Sequence, residues 1–326
     1  MIVSKTPFRI SFFGGGSDLP SYYNQSPGMV VSATIDKYIY ISLNKKFDDS
    51  IRVSYSTTEN VENVDDLKHD IVKHTLKYFG ITNGIELASI SDLPSNGTGM
   101  GASSAFAVGL IHALQKYKIP SHTMFRNQIA ELACQIEINH CQKLIGKQDQ
   151  YACAYGGFNA HMFSNDGVKT KNIEIHDSIL EYLENNLILL YTTKGRVADD
   201  ILKDQSQRMT DNEKSFQNMQ KMVELAKQFY TDLKNEDLSN FGEMLDYSWH
   251  LKKEISKGIS NSELDEMYDV AKSCGAKGGK VLGAGGGGFM LLYADPIAQK
   301  CIKEKFSKCR PFNFHFDFNG TTALRV

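Results

Sequence analysis

The sequence has little charge imbalance and no long run of one charge. Among its 326 residues, 36 lysines and arginines are balanced by 38 aspartates and glutamates, so the formal net charge at neutral pH is −2. The basic residues are scattered along the chain. Proteins that bind nucleic acids or anionic membranes usually carry a concentrated positive field. We therefore expect neither nucleic acid nor a membrane as a partner.

The sequence also lacks paired-cysteine motifs and long apolar segments. Its six cysteines form no C-x-x-C pair, and most lie in apolar or helix-like contexts. This pattern predicts buried free thiols in a reducing cytosol. The N-terminal stretch MIVSKTPFRISFF runs into glycines, which is typical neither of a signal peptide nor of a membrane span. We expect a cytoplasmic protein, long enough for one large or two modest domains.

Two common glycine-rich nucleotide-binding patterns are missing or out of context. No stretch fits the P-loop pattern G-x-x-x-x-G-K-[ST]. The pattern G-x-G-x-x-G occurs at Gly283, Gly285 and Gly288, but a short apolar strand and a turn follow it. Because a dinucleotide-binding unit requires a long helix at that point, we do not expect a Rossmann fold.

A third glycine-rich stretch lies between a predicted strand, residues 84–93, and a predicted helix, residues 105–117. It contains three alternate glycines, Gly97, Gly99 and Gly101. Such glycines allow backbone N–H groups to converge, and the N-terminus of a helix favours an anion. Ser103 and Ser104 add hydroxyls that could cap the helix or reach a metal held by a phosphate. The stretch predicts a phosphate-binding loop; the alternative is a structural turn with serine caps.

Two carboxylates near the middle of the chain are candidates for a paired site. A long helix is predicted for residues 123–144, and Glu137 adjoins its apolar face. Asp149 follows in a polar, glycine-flanked loop. Both residues have ordinary alternatives, because Glu137 could be solvated at the border of that face and Asp149 could be a turn former. From the residues alone, the solvated position of Glu137 is favoured.

Strand and helix patterns divide the chain into two halves of different character. The first half mixes strands and helices without regular alternation, and the second contains several charged helices between short apolar strands. We place the boundary just before the apolar strand at residues 187–191, which gives domains of residues 1–183 and 184–326. The fold class expected is α/β, mixed in the first half and α+β in the second.

Three motifs, in this order and spanning nearly the whole chain, resemble those of the GHMP-type small-molecule kinases, which include galactokinases, homoserine kinases and mevalonate kinases. They are residues 7–20 (PFRISFFGGGSDLP), 94–105 (PSNGTGMGASSA) and 280–289 (KVLGAGGGGF). The resemblance implies two domains around a deep cleft. The N-terminal domain would be like domain 2 of ribosomal protein S5, and the C-terminal domain would be ferredoxin-like.

Shorter stretches resemble one branch of that family, the D-glycero-D-manno-heptose 7-phosphate kinases, with sugar 1-kinases such as fucokinases nearby. They are residues 14–20, 146–150, 249–253 and 258–261. The branch uses ATP to phosphorylate the anomeric hydroxyl, giving a heptose 1,7-bisphosphate for nucleotide-activated heptose and surface polysaccharide. The resemblance implies this activity, and a homodimer is one possible assembly. The alternatives are a free-sugar 1-kinase and a non-catalytic binding protein with the same fold.

The resemblance also assigns roles to individual residues. The ATP phosphates would be held by Gly97, Gly99, Met100, Gly101, Ala102, Ser103 and Ser104. Glu137, together with Ser103 or Ser104, would hold Mg²⁺, which prefers oxygen ligands. Asp149 would accept the proton of the sugar hydroxyl. Arg9 would lie beside Asp149 and keep it ionised, although an edge position in its strand is the alternative.

Further motif residues are implied to bind the sugar phosphate. They are Gly15, Gly16, Ser17, Asp18, Gly285, Gly286, Gly287, Arg196 and Lys252. Asp18 would hydrogen-bond sugar hydroxyls, with a turn as its alternative role, and the glycines would approach through their backbone. Arg196 and Lys252 are candidates for the distal phosphate, with an exposed surface position as the alternative for each. Ala102 stands where relatives often have serine, which leaves open whether Ser103 or Ser104 faces the metal.

Overall fold

The structure, a computed structural model, describes residues 1–94, 97–121, 123–192, 198–309 and 311–326. The strands are β1 (Ile2–Phe13), β2 (Gly28–Lys45), β3 (Ile51–Ser54), β4 (Thr58–Val61), β5 (Ile85–Ser91), β6 (Phe158–Ser164), β7 (Gly167–Asn172), β8 (Leu187–Tyr191), β9 (Gly278–Val281), β10 (Phe289–Tyr293), β11 (Pro311–Phe312), β12 (Phe316–Asp317) and β13 (Thr322–Arg325). The α-helices are α1 (Pro20–Tyr23), α2 (Asp70–Tyr78), α3 (Ala102–Lys118), α4 (Arg126–Cys134), α5 (Gln148–Tyr155), α6 (Asp177–Asn186), α7 (Ala198–Asp211), α8 (Glu213–Lys234), α9 (Phe241–Ile255), α10 (Ser262–Ser273) and α11 (Pro296–Lys305). A 3₁₀ turn (Val64–Asp66) and a π-helix (Gln135–His140) complete these elements.

The larger sheet is organised around the long strand β2. Within the described residues its main path is β13-β1-β2-β5-β3-β4, while β6 and β12 also pair with β2, and β7 pairs with β6. β3 and β5 run parallel, and the other neighbours in this sheet are antiparallel. The sequence pattern predicts two strands in the segment of β2, at residues 30–33 and 38–43. The structure joins them into one strand because β1 pairs along nearly its whole length, with irregularities at Pro7 and Ser11.

β1 separates an apolar face from the face that carries the site. Phe8, Ile10 and Phe12 are fully buried in a core that also contains Phe229 of α8 and Phe241 of α9. Successive side chains of a strand point to opposite faces. Arg9 therefore points away from this core, towards the side on which α3 and α5 pack.

The smaller sheet has the order β11-β8-β10-β9 and is antiparallel throughout. Its central strands, LILLY at residues 187–191 and FMLLY at residues 289–293, are apolar and buried except at Tyr191, which is half-buried. The mixed α/β first half and the α+β second half predicted from the patterns are confirmed. The boundary between residues 183 and 184 stays a prediction: it falls inside α6, and β12 and β13 return to the larger sheet.

The expectation of free thiols is wrong for two of the cysteines. Cys274, after α10, is disulfide-bonded to Cys301 in α11, and their Cα atoms are 5.6 Å apart. These residues are 27 positions apart in the sequence, a spacing that matches no local motif and gave no signal. Cys134 and Cys153 are buried free thiols, as expected. None of the described helices combines the length and the apolar character that crossing a bilayer requires.

Candidate active site

A cavity of about 700 Å³ lies where the glycine-rich loops meet α7. Its walls come from Arg9 of β1, the loop at residues 15–19, the start of α3, α7 and Lys252 of α9. Lys143, Ile145, Gly146, Gln148 and Asp149 complete the lining, whereas Lys147 is not part of it. Most of the residues implied by the family resemblance lie in or beside this cavity. The cavity is therefore the candidate active site.

Arg9 and Asp149 form a two-point ion pair in the cavity wall. Arg9 Nε donates to Asp149 Oδ1 at 2.7 Å, and Nη2 donates to Oδ2 at 2.8 Å. The remaining Arg9 nitrogen, Nη1, donates to the backbone oxygen of Gly99 at 2.6 Å. Arg9 is buried, whereas the Asp149 side chain keeps 24% of its surface exposed. Arg9 thus fixes the orientation of the carboxylate and leaves part of it open to a ligand.

Asp149 lies in the first turn of α5, so the alternative that it is a turn former in a loop is wrong. The positive end of the helix dipole favours a carboxylate at this position. The edge position considered for Arg9 is also wrong, because its guanidinium is buried against Asp149 and Gly99.

Glu137 is completely buried and accepts hydrogen bonds from several side chains. Ser103 Oγ donates to Oε1 at 2.6 Å, and Ser104 Oγ donates to Oε2 at 2.7 Å. Gln150 Nε2 donates to Oε2 at 2.7 Å, and Lys143 Nζ donates to Oε1 at 3.1 Å. The solvated position favoured from the residues alone is therefore wrong.

A change of helix type places Glu137 inward. The single helix predicted for residues 123–144 is in fact α4 followed by the π-helix Gln135–His140. A π-turn accommodates one extra residue and shifts the register of the side chains that follow. Ile136 and Glu137, although adjacent in sequence, are consequently both buried. The periodicity of a regular α-helix could not predict this.

The two serines at the start of α3 serve Glu137 and do not cap the helix. The N-cap is Gly101, which has left-handed φ and ψ angles of 78° and 27°. Ser103 and Ser104 donate their hydroxyls to different oxygens of Glu137. Both hydroxyls are therefore hydrogen-bonded to the carboxylate. The backbone N–H groups of the first turn remain available to an anion.

The two glycine-rich loops pack directly against each other. A Cβ on Gly99 would come within 2.3 Å of the backbone oxygen of Leu282, and one on Gly288 within 2.6 Å of the Gly97 oxygen. The backbone N–H of Phe289 donates to the Thr98 oxygen at 3.1 Å. The second loop thus supports the first, and the glycines are needed for this close backbone contact.

Asp18 is buried in a shell of donors beside the cavity. Its Oδ1 accepts from the backbone N–H of Gly16 and from Gln148 Nε2, both at 2.9 Å, and Oδ2 accepts from the Gln148 backbone at 3.1 Å. The pKa of the Asp18 carboxyl is raised above its usual value, mainly because the group is buried. A Cβ on Gly146 would lie 1.8 Å from Asp18 Oδ2, so the carboxylate occupies space that only glycine leaves open.

Some of the other residues predicted to bind substrate line the cavity, and others are buried behind its wall. Gly15 and Gly16 line the cavity, whereas Ser17 is buried and donates its hydroxyl to the Met29 oxygen at 3.2 Å. Gly283 and Ala284 line the cavity from the second loop.

Three further glycines of the second loop are predicted to contact substrate: Gly285, Gly286 and Gly287. The Gly286 N–H donates to the Ile259 oxygen at 2.8 Å, and a Cβ on Gly285 would lie 2.6 Å from that oxygen. Gly287 is buried. Contact of these three with the substrate stays a prediction.

Lys252 is buried and lines the cavity, so the surface alternative is wrong for this residue. Its Nζ donates to the Gly283 oxygen at 2.5 Å. Burial, reinforced by the nearby charge of Arg9, lowers the pKa of Lys252 to about 8. Arg196 lies outside the described residues.

Sequence reasoning assigned no role to several polar residues at the site. Lys143 and Gln148 line the cavity, and Gln150 contacts Glu137. Lys280 is buried, and its Nζ donates to the Ser11 and Phe12 oxygens, both at 2.9 Å. The resemblance of residues 146–150 and 280–289 to family motifs was a signal for three of these residues, but nothing marked Lys143.

The oxygens around Glu137 suit Mg²⁺. This ion prefers oxygen ligands and is usually held by one or two carboxylates together with substrate phosphates and water. Glu137, Ser103 and Ser104 supply one buried carboxylate and two hydroxyls beside the start of α3. Within the described part of the chain, no cluster of three or more histidine, cysteine, aspartate or glutamate residues could hold a metal. Water, and the phosphates of a nucleotide when one is bound, would complete the ligand set.

Comparison with known proteins identifies the family. Residues 67–157 match the family described as GHMP kinases N terminal domain, and residues 229–309 match GHMP kinases C terminal. The chain is also 34% identical to D-glycero-alpha-D-manno-heptose 7-phosphate kinase from Campylobacter jejuni, over 100% of this chain and 99% of that protein. The chain belongs to the GHMP kinase family. Kinase activity and the resemblance inferred from the motifs are thereby confirmed.

Two further relatives of this GHMP kinase differ in how much of their own length the comparison covers. The crystal structure of a D-glycero-D-manno-heptose 1-phosphate kinase from Bacteroides thetaiotaomicron superposes with a TM-score of 0.82. That comparison covers 100% of this chain and 99% of the other at 23% identity, and it confirms the two-domain GHMP kinase fold. The bifunctional fucokinase/GDP-fucose pyrophosphorylase of Arabidopsis thaliana is 23% identical over 94% of this chain but only 31% of its own length.

Proposed function

We propose that this GHMP kinase transfers the γ-phosphoryl group of ATP to the anomeric hydroxyl of D-glycero-D-manno-heptose 7-phosphate, giving the 1,7-bisphosphate. The observation that carries the proposal is the Arg9–Asp149 pair, which holds a partly exposed carboxylate beside the phosphate-binding loop. The sugar is inferred from the full-length relative, whose name also specifies the α-anomer.

The pair would bring the acceptor hydroxyl close to the phosphates. A Cβ on Gly101 would lie 3.2 Å from Asp149 Oδ2, so Asp149 directly adjoins the N-cap of α3. An acceptor hydroxyl hydrogen-bonded to Asp149 would therefore face phosphates bound at that helix terminus. Positioning of this kind accounts for much of the catalysis in phosphoryl transfer.

Asp149 would take the proton of the anomeric hydroxyl as the bond to phosphorus forms. Arg9 would keep the carboxylate oriented and compensate negative charge that develops on the reacting oxygens. Glu137, Ser103 and Ser104 would hold Mg²⁺, which, when bound, neutralises part of the phosphate charge. The backbone N–H groups at the start of α3 would hold phosphate oxygens.

The remaining polar groups of the cavity would select the sugar phosphate. Asp18, which lines the cavity and is held by Gln148 and Gly16, would hydrogen-bond sugar hydroxyls. The distal phosphate requires cationic or N–H groups, and Lys252 and Arg196 stay the candidates. A cytoplasmic location and a role in nucleotide-activated heptose for lipopolysaccharide or capsule belong to the same proposal, as does a homodimeric assembly.

A product-resolved kinase assay tests the proposal. ATP and Mg²⁺ would be supplied with heptose 7-phosphate, unphosphorylated heptose, L-fucose and mevalonate, and ³¹P NMR would identify the phosphorylated oxygen. We expect anomeric phosphorylation of heptose 7-phosphate and a much lower kcat/KM for free heptose, because an empty phosphate site leaves its cations unpaired.

Other results would favour the alternatives. Equal kcat/KM values for heptose and its 7-phosphate would indicate a free-sugar 1-kinase. Nucleotide binding without turnover of any acceptor would indicate a binding protein, and Asp149→Asn provides the matched inactive control.

A further inference from the structure

Lys143 places its ammonium group among the oxygens that suit a metal. Its Nζ lies 2.6 Å from Ser103 Oγ and 3.1 Å from Glu137 Oε1. The Lys143 backbone N–H also donates to the Glu137 backbone oxygen at 3.0 Å, which anchors the lysine just beyond the π-helix. One cation thus already contacts two of the three proposed metal ligands.

The burial of Glu137 explains why a cation is needed there. A carboxylate with no exposed surface is costly unless it is paired and hydrogen-bonded. Ser103, Ser104 and Gln150 supply neutral donors, and in the part of the chain that the structure describes Lys143 is the cation paired with Glu137. Without a metal, the charge of Glu137 is balanced by Lys143.

Lys143 also has the freedom to leave this position. Its side chain is 32% exposed and lines the cavity, while Glu137 is closed to solvent. A lysine ammonium sits on a flexible stem and can turn its donors to a phosphate. A divalent cation at Glu137 Oε1 and Ser103 Oγ would occupy the space of the ammonium and repel it.

We infer that Lys143 is an exchangeable counter-ion. It neutralises Glu137 in the nucleotide-free protein, gives up that position to Mg²⁺, and then pairs with the phosphates of the bound nucleotide. The inference rests on the proposed function in so far as ATP and Mg²⁺ are the ligands of the cavity, and it does not depend on which sugar is the acceptor.

The test compares Lys143→Met with Lys147→Met, a control in the same segment whose ammonium lies near the Tyr23 ring, 5.8 Å from its centre. Isothermal titration calorimetry would measure binding of MgCl₂ alone, and of a non-hydrolysable ATP analogue in EDTA. For Lys143→Met we expect about tenfold tighter Mg²⁺ binding and about tenfold weaker metal-free nucleotide binding, the size of one charged hydrogen bond. Lys147→Met should leave both affinities at the wild-type values.

A second variant covers the case in which Lys143→Met does not fold. Lys143→Gln keeps a hydrogen-bond donor for Ser103 and Glu137 but removes the charge, and it should shift both affinities in the same directions. Equal affinities in the Lys143 and Lys147 variants would overturn the inference. A loss of nucleotide affinity without a gain in Mg²⁺ affinity would also overturn it, because exchange requires both. If the wild-type protein bound no nucleotide, the proposed function itself would fail.

Discussion

Gly283 lies so close to Gly99 that a Cβ added to Gly283 would be 2.6 Å from the Gly99 Cα atom. Both glycines have positive φ angles, 69° and 70° respectively. The first belongs to the loop after β9 and the second to the loop before α3, so residues from the two halves of the chain meet backbone to backbone. The shape of the phosphate-binding loop therefore depends on a contact with the second half.

Gly99→Ala should weaken nucleotide binding more than the strain of a positive φ angle alone would. Gly80 is a matched control, because its φ of 64° is similar and no atom lies within 4 Å of a Cβ there. Both substitutions carry the left-handed penalty of about 1–2 kcal/mol. Gly99→Ala must also displace Leu282, so we expect a clear loss of ATP-analogue affinity by calorimetry. Equal nucleotide affinities in the two variants would show that this loop contact does not shape the nucleotide site.

Glu137→Gln should raise the Mg²⁺ concentration needed for half-maximal activity by about tenfold, since a charged ligand becomes neutral. Glu131→Gln is the matched control on the preceding helix, where the carboxylate accepts the Tyr151 hydroxyl at 2.9 Å. The measurement is an Mg²⁺ titration at saturating ATP. A Glu137→Gln curve that superposes on the Glu131→Gln curve would contradict a metal role for Glu137.

Asp149→Asn should lower turnover by roughly 10²–10⁴-fold, the usual contribution of general acid–base catalysis. ATP affinity should change little, because Asp149 is assigned to the acceptor. The substitution also leaves the Arg9 guanidinium without its counter-charge, so circular dichroism and the thermal midpoint must be recorded beside kcat. Asp166→Asn, in an exposed turn, is the control. Near-normal turnover in a folded Asp149→Asn protein would exclude the base role.

Lys252 should make the stability of the protein rise with pH above about 8. Its pKa is about 8 when folded and 10.5 ordinarily, so between these values the unfolded chain binds a proton that the folded chain does not. The free energy of unfolding then increases with pH, by about 1 kcal/mol per pH unit at most.

Urea unfolding at pH 7.5, 8.5 and 9.5 would measure this contribution of Lys252. Lys252→Met should flatten the rise relative to Lys253→Met, whose ammonium pairs with Asp265 at 3.0 Å. Identical pH slopes in the two variants would show that Lys252 does not titrate in this range.

Local signals predicted the parts of the site that lie close together in sequence. The helical period at residues 105–117 and the alternate glycines before it correctly anticipated α3 and its preceding loop, because both are properties of a few consecutive residues. The charged helices of the second half, and the apolar strand at residues 187–191 that is β8, were also recognised from local patterns. Only the family motifs indicated that Arg9 lies beside Asp149, since the two residues are 140 positions apart in the sequence.

Features that depend on distant contacts or irregular backbone were missed. The π-turn that buries Glu137 has no periodic signal, and Asp149 looked like a loop residue because glycine and polar residues precede α5. Lys143 belongs to none of the family motifs, and its importance depends on Glu137 being buried.

The pairing of β13, near the end of the second half, with β1 of the larger sheet has a consequence for biosynthesis. β13 covers the outer edge of β1, with Leu324 opposite Val3, and β12 pairs with β2 at Thr34 and Ile35. A ribosome delivers β1 and β2 well before β12 and β13, so the nascent chain carries an unprotected strand edge while the intervening segments are synthesised. Such edges readily pair with other chains. The newborn polypeptide thus depends on a segment synthesised much later, or on a chaperone, to shield the strand that carries Arg9.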